Sequence, residues 1–405
     1  MKVLKIALGI IFVLFLFLLF YHLSIQEFIG DEASPMLNID RMWDAFSLHD
    51  MRFLGFPYLF YYSPYLSIFS GTLLHLFGPN RILLRMPNIL FAIATYFLLI
   101  YIFIKEKINP WIIVLSLLSY TCSGIIINDR GGAGDAQTRF FILTTGYFTW
   151  QSLKHGIQKH MQIALLTWTF GVLTMLDTVV LLPGIAYALW KRKFFQHKKI
   201  VYLIICLIIF VACYFALWML LPYLAFKSGY QHYLSNRGLF YYFSRVNGGS
   251  GYDVLSSLIW FTHYTSAYFT IWCLGAVISA FFIKKLRLLQ IVTIPAWIFV
   301  LLLKNSSFHI VMYTALFLLE AVIVTNYVME KFPKTKYLII VILCVITFAN
   351  GYHLFTQYSD VYQFIPHAKV VKKQSKNCLD ASVIQIYKRH HTPPLNLSCN
   401  YPRIQ

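Results

Sequence analysis

The sequence predicts an all-α polytopic membrane protein. Hydrophobic residues make up 59% of the chain and charged residues only 12%, a composition too apolar for a soluble globular protein. The apolar residues also occur in continuous runs close to the roughly 20 residues that a helix needs to cross a bilayer. Membrane β-barrels instead show alternating segments of about ten residues, so helices are the predicted spanning elements.

The apolar runs predict about eleven transmembrane helices. The first run, residues 6–25, follows Lys2 and Lys5 and continues without a small-residue cleavage site, so a retained first span is expected. Residues 161–190 are too long for one crossing and contain Asp177, which predicts two short helices meeting near that acid. The other predicted spans are residues 82–104, 109–127, 138–153, 200–222, 262–283, 288–303, 307–328 and 337–353.

The basic residues predict which helix ends face the cytoplasm. Lys and Arg are concentrated in alternate turns, and cytoplasmic loops of membrane proteins carry an excess of these residues. The N-terminus is therefore predicted to be cytoplasmic. The net charge of +19 is better explained by this rule and by anionic lipid headgroups than by nucleic acid. The basic turns are residues 105–108, 154–160, 191–199, 284–287 and 331–336.

The same topology divides the chain into a membrane domain, residues 1–353, and a small external tail, residues 354–405. Within the membrane domain, residues 26–81 form a long first external loop. Its aromatic segments are too short or too interrupted to span, so they are expected to form interfacial helices. Most of the unusual polar residues are predicted to lie on this outer side, which is periplasmic, extracellular or lumenal.

Two adjacent carboxylates, Asp31 and Glu32, follow the first predicted span. One interpretation is structural, because acidic residues favour the first turn of a helix. The other is catalytic, with a carboxylate presented to a substrate at the membrane surface. Paired acids stand out in so weakly charged a chain, and their predicted side is the one that holds the other unusual polar groups. That shared side favours the catalytic interpretation for Asp31.

A series of landmarks follows this acidic pair, and their order resembles that of the membrane glycosyltransferases of the C-type fold. The likeness is especially to protein O-mannosyltransferases and bacterial lipid A aminoarabinose transferases, across about residues 20–190. The landmarks are Asp31-Glu32, Tyr61-Tyr62-Ser63-Pro64-Tyr65-Leu66, Leu76-Phe77-Gly78, Arg85-Met86-Pro87 and the loop Asn128 to Asp135 before a Phe-rich span. The resemblance implies a C-type glycosyltransferase fold.

The resemblance also implies roles for individual residues. Asp31 matches the catalytic base, which takes a proton from the acceptor. Glu32 matches the second acid of that motif, which either holds a divalent metal or orients the base. Arg85 matches an arginine at the entry of the second span, and Arg130 and Asp135 fall in the loop that lines the donor pocket. The remaining substrate-binding candidates are Tyr62, His232, His263 and Lys304.

The expected function is that of an inverting glycosyltransferase acting on a polyprenyl-phosphate sugar, with undecaprenyl or dolichyl phosphate as the carrier. Lipid A, O-antigen or another glycan, and protein hydroxyls are all open as acceptors. No cofactor is expected apart from the open question of a divalent metal, and membrane lipids are the other partners. The alternatives are a transporter or flippase of a lipid-linked saccharide, and an O-antigen polymerase or ligase.

Overall fold

A computed structural model describes residues 2–21, 23, 76–77, 81–131, 134–225, 254–302 and 310–357. Every regular element within these residues is an α-helix or a short 3-10 helix, and they contain no β-strand. The all-α class predicted from the sequence is therefore confirmed for this part of the chain. Most of the predicted first external loop and of the predicted tail lies outside the described residues.

The described residues form thirteen α-helices. They are α1 (Lys2–Phe20), α2 (Arg81–Lys105), α3 (Pro110–Thr121), α4 (Ile125–Asp129), α5 (Asp135–His155), α6 (Gln158–Thr174), α7 (Leu182–Lys191), α8 (Lys198–Ala225), α9 (Val254–Tyr264), α10 (Ala267–Phe282), α11 (Arg287–Leu302), α12 (Ile310–Lys331) and α13 (Lys336–Gln357). Short 3-10 turns lie at Leu176–Leu181, Phe194–Gln196, Lys284–Leu286 and Pro333–Thr335.

Several helix ends follow directly from the local sequence. Pro110 begins α3, and the Asn109 side chain accepts a hydrogen bond from the Trp111 backbone N–H, so Asn109 is the N-cap. Gly156 ends α5 with a φ of 70°, a left-handed conformation that glycine adopts without strain. These signals explain why α3 and α5 begin or end where they do.

Four described helices are long and apolar enough to cross a membrane: Lys2–Phe20, Arg85–Lys105, Ile310–Lys331 and the 25-residue segment Pro333–Gln357. A further candidate is the pair Ala267–Phe282 and Lys284–Leu301, whose two helices meet at an angle of 106°. The described part of the chain is thus an all-helical protein with four or five candidate membrane spans. The larger number of about eleven spans stays a prediction.

Helix α5 lies at the centre of the helical bundle, packed against α2, α6, α11 and α12. Of its 21 residues, 16 are buried, including Arg139 and Gln151. A close approach to α12 depends on Gly146, because a Cβ atom there would lie 2.7 Å from Leu316 Cδ1. Since α5 is surrounded by protein, it can carry polar side chains that would be costly against lipid.

Polar side chains hold the helices together at one end of the bundle, here called the Glu106 end. Glu106 follows α2 and accepts hydrogen bonds from Gln151 Nε2 at 2.6 Å and Lys154 Nζ at 2.9 Å, both on α5. Arg192 follows α7 and donates from Nε to the Leu153 carbonyl oxygen at 2.9 Å. Three of the predicted basic turns therefore meet at one end of the bundle, as the sequence topology requires.

The predicted pair of short helices around Asp177 is present as α6 and α7, joined by the 3-10 turn. Asp177 is buried, and its backbone carbonyl accepts a hydrogen bond from the Tyr313 hydroxyl at 2.8 Å. The turn is therefore fixed against the first residues of α12. Asp177 lies at the opposite end of the bundle from Glu106.

The segment predicted as one span over residues 262–283 is broken in the structure. Helix α9 ends at Tyr264, and α10 begins at Ala267. The physical reason is Ser266, whose backbone is extended and whose hydroxyl accepts a hydrogen bond from the Phe269 N–H, starting a new helix. His263 thus belongs to a separate short helix that precedes the membrane candidate.

Candidate functional site

Four of the residues predicted to act on substrate lie among the described residues, and all four are near the end opposite Glu106. They are Arg85, Arg130, Asp135 and His263. The others lie outside the described residues, so their predicted roles stay predictions: Asp31, Glu32, Tyr62, His232 and Lys304.

Two fully buried arginines bind the end of α1. Arg85 Nη1 donates to the Leu23 carbonyl oxygen at 2.7 Å, and Arg130 Nη2 donates to the Tyr21 carbonyl oxygen at 2.5 Å. Both carbonyls lie just beyond the C-terminus of α1, which ends at Phe20 and carries the negative end of the helix dipole, so cations are favoured there. Arg85 and Arg130 therefore fix the point from which the chain continues towards Asp31.

The loop that carries Arg130 is held by one side chain, Asn88 of α2. Asn88 Nδ2 donates to the carbonyl oxygens of Gly131 at 2.8 Å, Asn128 at 2.9 Å and Asp129 at 3.3 Å. Its Oδ1 accepts from the Ala136 N–H at 3.0 Å, at the start of α5. One buried amide thus joins the end of α4 to the start of α5, and we call this group the Asn88 clamp.

A buried ion pair between Asp129 and Arg139 lies behind the clamp, with both side chains almost completely buried. Arg139 Nη1 contacts Asp129 Oδ1, and its Nε donates to the Val311 carbonyl oxygen at 3.0 Å, at the start of α12. Burial raises the pKa of the Asp129 carboxyl, while the charge of Arg139 and its hydrogen bond oppose that shift. Arg139 therefore connects α4 and α5 to α12, and its charge is largely matched by Asp129.

Asp135, the first residue of α5, is only partly buried. Its charge acts on the Tyr264 hydroxyl at the end of α9. Burial raises the pKa of Tyr264 to about 12, the charge of Asp135 adds to the rise, and a hydrogen bond with Asn128 opposes it. The end of α9 consequently lies against the loop that the Asn88 clamp holds.

His263, next to Tyr264, occupies the outer rim of this end of the bundle and is exposed. The Nε2 atom of His353, on α13, lies 2.7 Å from the His263 carbonyl oxygen, and the two rings are 6.5 Å apart. Partial burial of the ring lowers the pKa of His263, and the nearby His353 lowers it further. Its ring therefore favours the neutral form, which can accept a proton or bind a polar group.

Three buried guanidinium groups lie at this end of the bundle. Arg139 pairs with Asp129, and Arg85 and Arg130 donate to the carbonyl oxygens of Leu23 and Tyr21. Buried guanidinium groups attract phosphate and carboxylate. Among the described residues no group of three or more His, Cys, Asp or Glu side chains could hold a metal ion. Glu32, for which a metal-binding role was considered, lies outside the described residues.

Sequence reasoning missed Asn88, Asp129 and Arg139 as organisers of this end. A signal for Arg139 was present, because it is a charged residue inside a predicted span, residues 138–153, and such residues are costly unless paired. Glu320 gave the same signal in the predicted span 307–328. Asn88 gave none, since an asparagine near a helix start is common and its four partners are defined only by the fold.

No protein-family model, curated protein or solved structure matches this chain.

Proposed function

We propose that this protein is an inverting membrane glycosyltransferase of the C-type fold, with about eleven spans, that uses a polyprenyl-phosphate sugar as donor. The observation that carries the proposal is the contact of Arg85 and Arg130 with the end of α1. Asp31 and Glu32 follow that helix in the sequence. Asp31 is eight positions after Leu23, and a fully extended chain of that length reaches at most about 28 Å.

The proposed reaction breaks the bond between the anomeric carbon of the sugar and the carrier phosphate. Asp31 takes the proton from the acceptor hydroxyl while the acceptor oxygen attacks the anomeric carbon from the opposite face. The polyprenyl phosphate leaves with the bonding electrons, so negative charge grows on its oxygens. Positive groups near that position stabilise the transition state. Arg85 and Arg130 supply such charge in a buried setting, where electrostatic interactions are stronger than in water.

Asp135 and His263 are the proposed contacts for the sugar or the acceptor, together with Tyr62 and His232. Lys304 is a second cation for the carrier phosphate. Glu32 orients Asp31 or binds a divalent metal. The acceptor is proposed by class only, as a hydroxyl-bearing glycan, lipid or protein at the surface on which these residues lie.

The test compares Asp31→Asn with Asp50→Asn, a substitution of a second acid in the same predicted loop. Mass spectrometry would compare glycolipids and glycoproteins from cells without the gene and from cells expressing each variant. We expect Asp31→Asn to lower product by about 100-fold or more, because general bases typically contribute factors of that size. Asp50→Asn should retain product. Full product from Asp31→Asn at normal expression would refute the mechanism.

A second function, a transporter or flippase of a lipid-linked saccharide, is favoured by one observation. Glu320 is a buried carboxyl in the middle of α12, and acids at such depth often mark transport pathways. The two functions differ in their products. A transferase joins a labelled sugar to a new acceptor, whereas a transporter moves the labelled donor across the bilayer unchanged. Reconstituted vesicles with a labelled donor would separate these outcomes.

A further inference from the structure

Glu320 is the ionisable residue of α12 that lies furthest from the ends of that helix. It is residue 11 of 22 in that helix and is 1% exposed. It is nine positions after Val311, whose carbonyl accepts a hydrogen bond from Arg139. At 1.5 Å per residue this places Glu320 about 13 Å along the axis of α12 from Val311. It is therefore separate from the site proposed for glycosyl transfer.

Two side chains of α11 bind the carboxyl group. The Thr293 hydroxyl lies 3.0 Å from Oε1, and the Trp297 indole Nε1 lies 3.2 Å from Oε2. The indole ring of Trp297 stacks on Phe317 at 3.7 Å between centroids, with Phe261 at the edge of both rings. Glu320 thus has two neutral polar partners within an aromatic setting.

Several helices packed against α12 carry titratable or charged groups. From α10, the Cys273 thiol faces Glu320 and interacts with it electrostatically. From α11, the facing groups are Thr293 and Trp297, which are neutral. Groups of the other packed helices have partners elsewhere. Arg139 of α5 and Tyr120 of α3 contact each other, Glu106 after α2 contacts Lys154 and Tyr147, Tyr96 of α2 stacks on Phe15 of α1, and His263 of α9 contacts His353 of α13.

Within the described residues, then, no cation pairs with Glu320. An ionised carboxylate buried without a cation is strongly disfavoured, especially at membrane depth. The protonated form fits the partners that are present. An indole N–H can only donate, so Trp297 holds Oε2 in either state, whereas a threonine hydroxyl can donate or accept. Reversing the Thr293 hydroxyl lets Oε1 carry a proton and donate it.

We propose that Glu320 is a proton-binding site inside the membrane domain, with the proton held on Oε1 against the Thr293 hydroxyl and Oε2 held by Trp297. Binding the proton keeps α11 joined to α12 by two hydrogen bonds between neutral groups. Releasing it leaves a charge between these helices that only their separation, or entry of water, can solvate. The site is independent of the proposed glycosyl transfer.

The test is infrared difference spectroscopy of the full-length protein in lipid vesicles, from mildly acidic to alkaline pH. The chain has only 15 acidic residues, so the C=O stretching band of one protonated carboxyl is resolvable by subtracting a variant. We expect this band in the wild type at mildly acidic pH, its loss in Glu320→Gln, and its decline in the wild type as pH rises. The matched control is Glu330→Gln, an exposed acid of the same helix, which should keep the band.

A second variant tests the proposal independently of whether Glu320→Gln folds. Thr293→Val removes the proposed acceptor but keeps the side-chain shape, so the same band should move to the higher frequency of a carboxyl without that partner. A wild type lacking the band at mildly acidic pH would overturn the proposal, as would a band unaffected by both substitutions. Movement of the band with Thr293→Val would support it even if Glu320→Gln fails to fold.

Discussion

The Asn88 clamp can be tested by removing its amide. In Asn88→Ala, the carbonyls of Asn128 and Gly131 lose their donor, and the Ala136 N–H loses its acceptor. The contact with the Asp129 carbonyl, at 3.3 Å, is the weakest of the four and shares the same NH2 group. Three good hydrogen bonds at about 1 kcal/mol each give an expected loss of about 3 kcal/mol in the free energy of unfolding.

Asn88→Asp sharpens the same prediction because it keeps the size of the side chain and one acceptor. A carboxylate would face carbonyl oxygens that need a donor, so the loss should reach about 3–5 kcal/mol, as for an unpaired buried charge. The assay is reversible unfolding in mixed micelles, combined with hydrogen exchange of the backbone amides of Arg130, Gly131 and Ala136. Faster exchange at these three amides is the local signature of a released loop.

The control is Asn109→Ala, which removes a single exposed capping bond at a distant helix end. It should cost about 1 kcal/mol and leave exchange in the loop after α4 unchanged. The reasoning would be refuted if Asn88→Ala were within about 0.5 kcal/mol of the wild type and exchange at the loop were unaltered, since surface changes alone stay within that range.

Two further predictions concern packing and the Glu106 end. Gly171→Ala should cost about 1–3 kcal/mol, because its Cβ would lie 2.5 Å from buried Thr178, whereas Gly275→Ala meets open space and should be neutral or stabilising. Equal unfolding temperatures for both variants would contradict this. Glu106→Gln should lose about 1.5–3 kcal/mol because the carboxylate accepts several hydrogen bonds, while Lys154→Met, at an exposed partner, should lose less than about 1 kcal/mol. Denaturant unfolding of the two variants measures both losses of unfolding free energy. A larger loss for Lys154→Met than for Glu106→Gln would contradict this reasoning.

The helical class and several helix limits could be predicted from the sequence because they depend on local patterns. The turn at Asp177 between two short helices is an example. The central position of α5 could not be predicted from the sequence. Its polar residues Arg139 and Gln151 suit a helix surrounded by protein, but whether a helix is surrounded depends on how the other helices pack. The break at Ser266 was missed because the apolar run continues on both sides of one capping serine.

For the described candidate residues, the sequence topology predicted a shared end of the bundle but not their contacts. The alternation of basic turns brought Arg85, Arg130 and Asp135 to one end, and the hydrogen bonds of the Asn88 clamp hold the loop carrying the last two. No sequence pattern indicates that Arg85 and Arg130 bind the carbonyls that follow α1. The arginines bind backbone carbonyl oxygens, and every residue has one. Only the fold therefore determines that the carbonyls of Tyr21 and Leu23 are the ones bound.

The contacts at the end of α1 also set an order for assembly of the chain during synthesis. The Leu23 carbonyl is bound by Arg85, which is 62 residues later in the chain. The Tyr21 carbonyl is bound by Arg130, which is 109 residues later. At about 5–20 residues per second, synthesis of the chain from Tyr21 to Arg130 takes roughly 5–20 s. Until then the depth and rotation of α1 are not fixed by Arg130. Helices α2, α3 and α4, which are synthesised between α1 and Arg130, therefore help to determine where α1 rests.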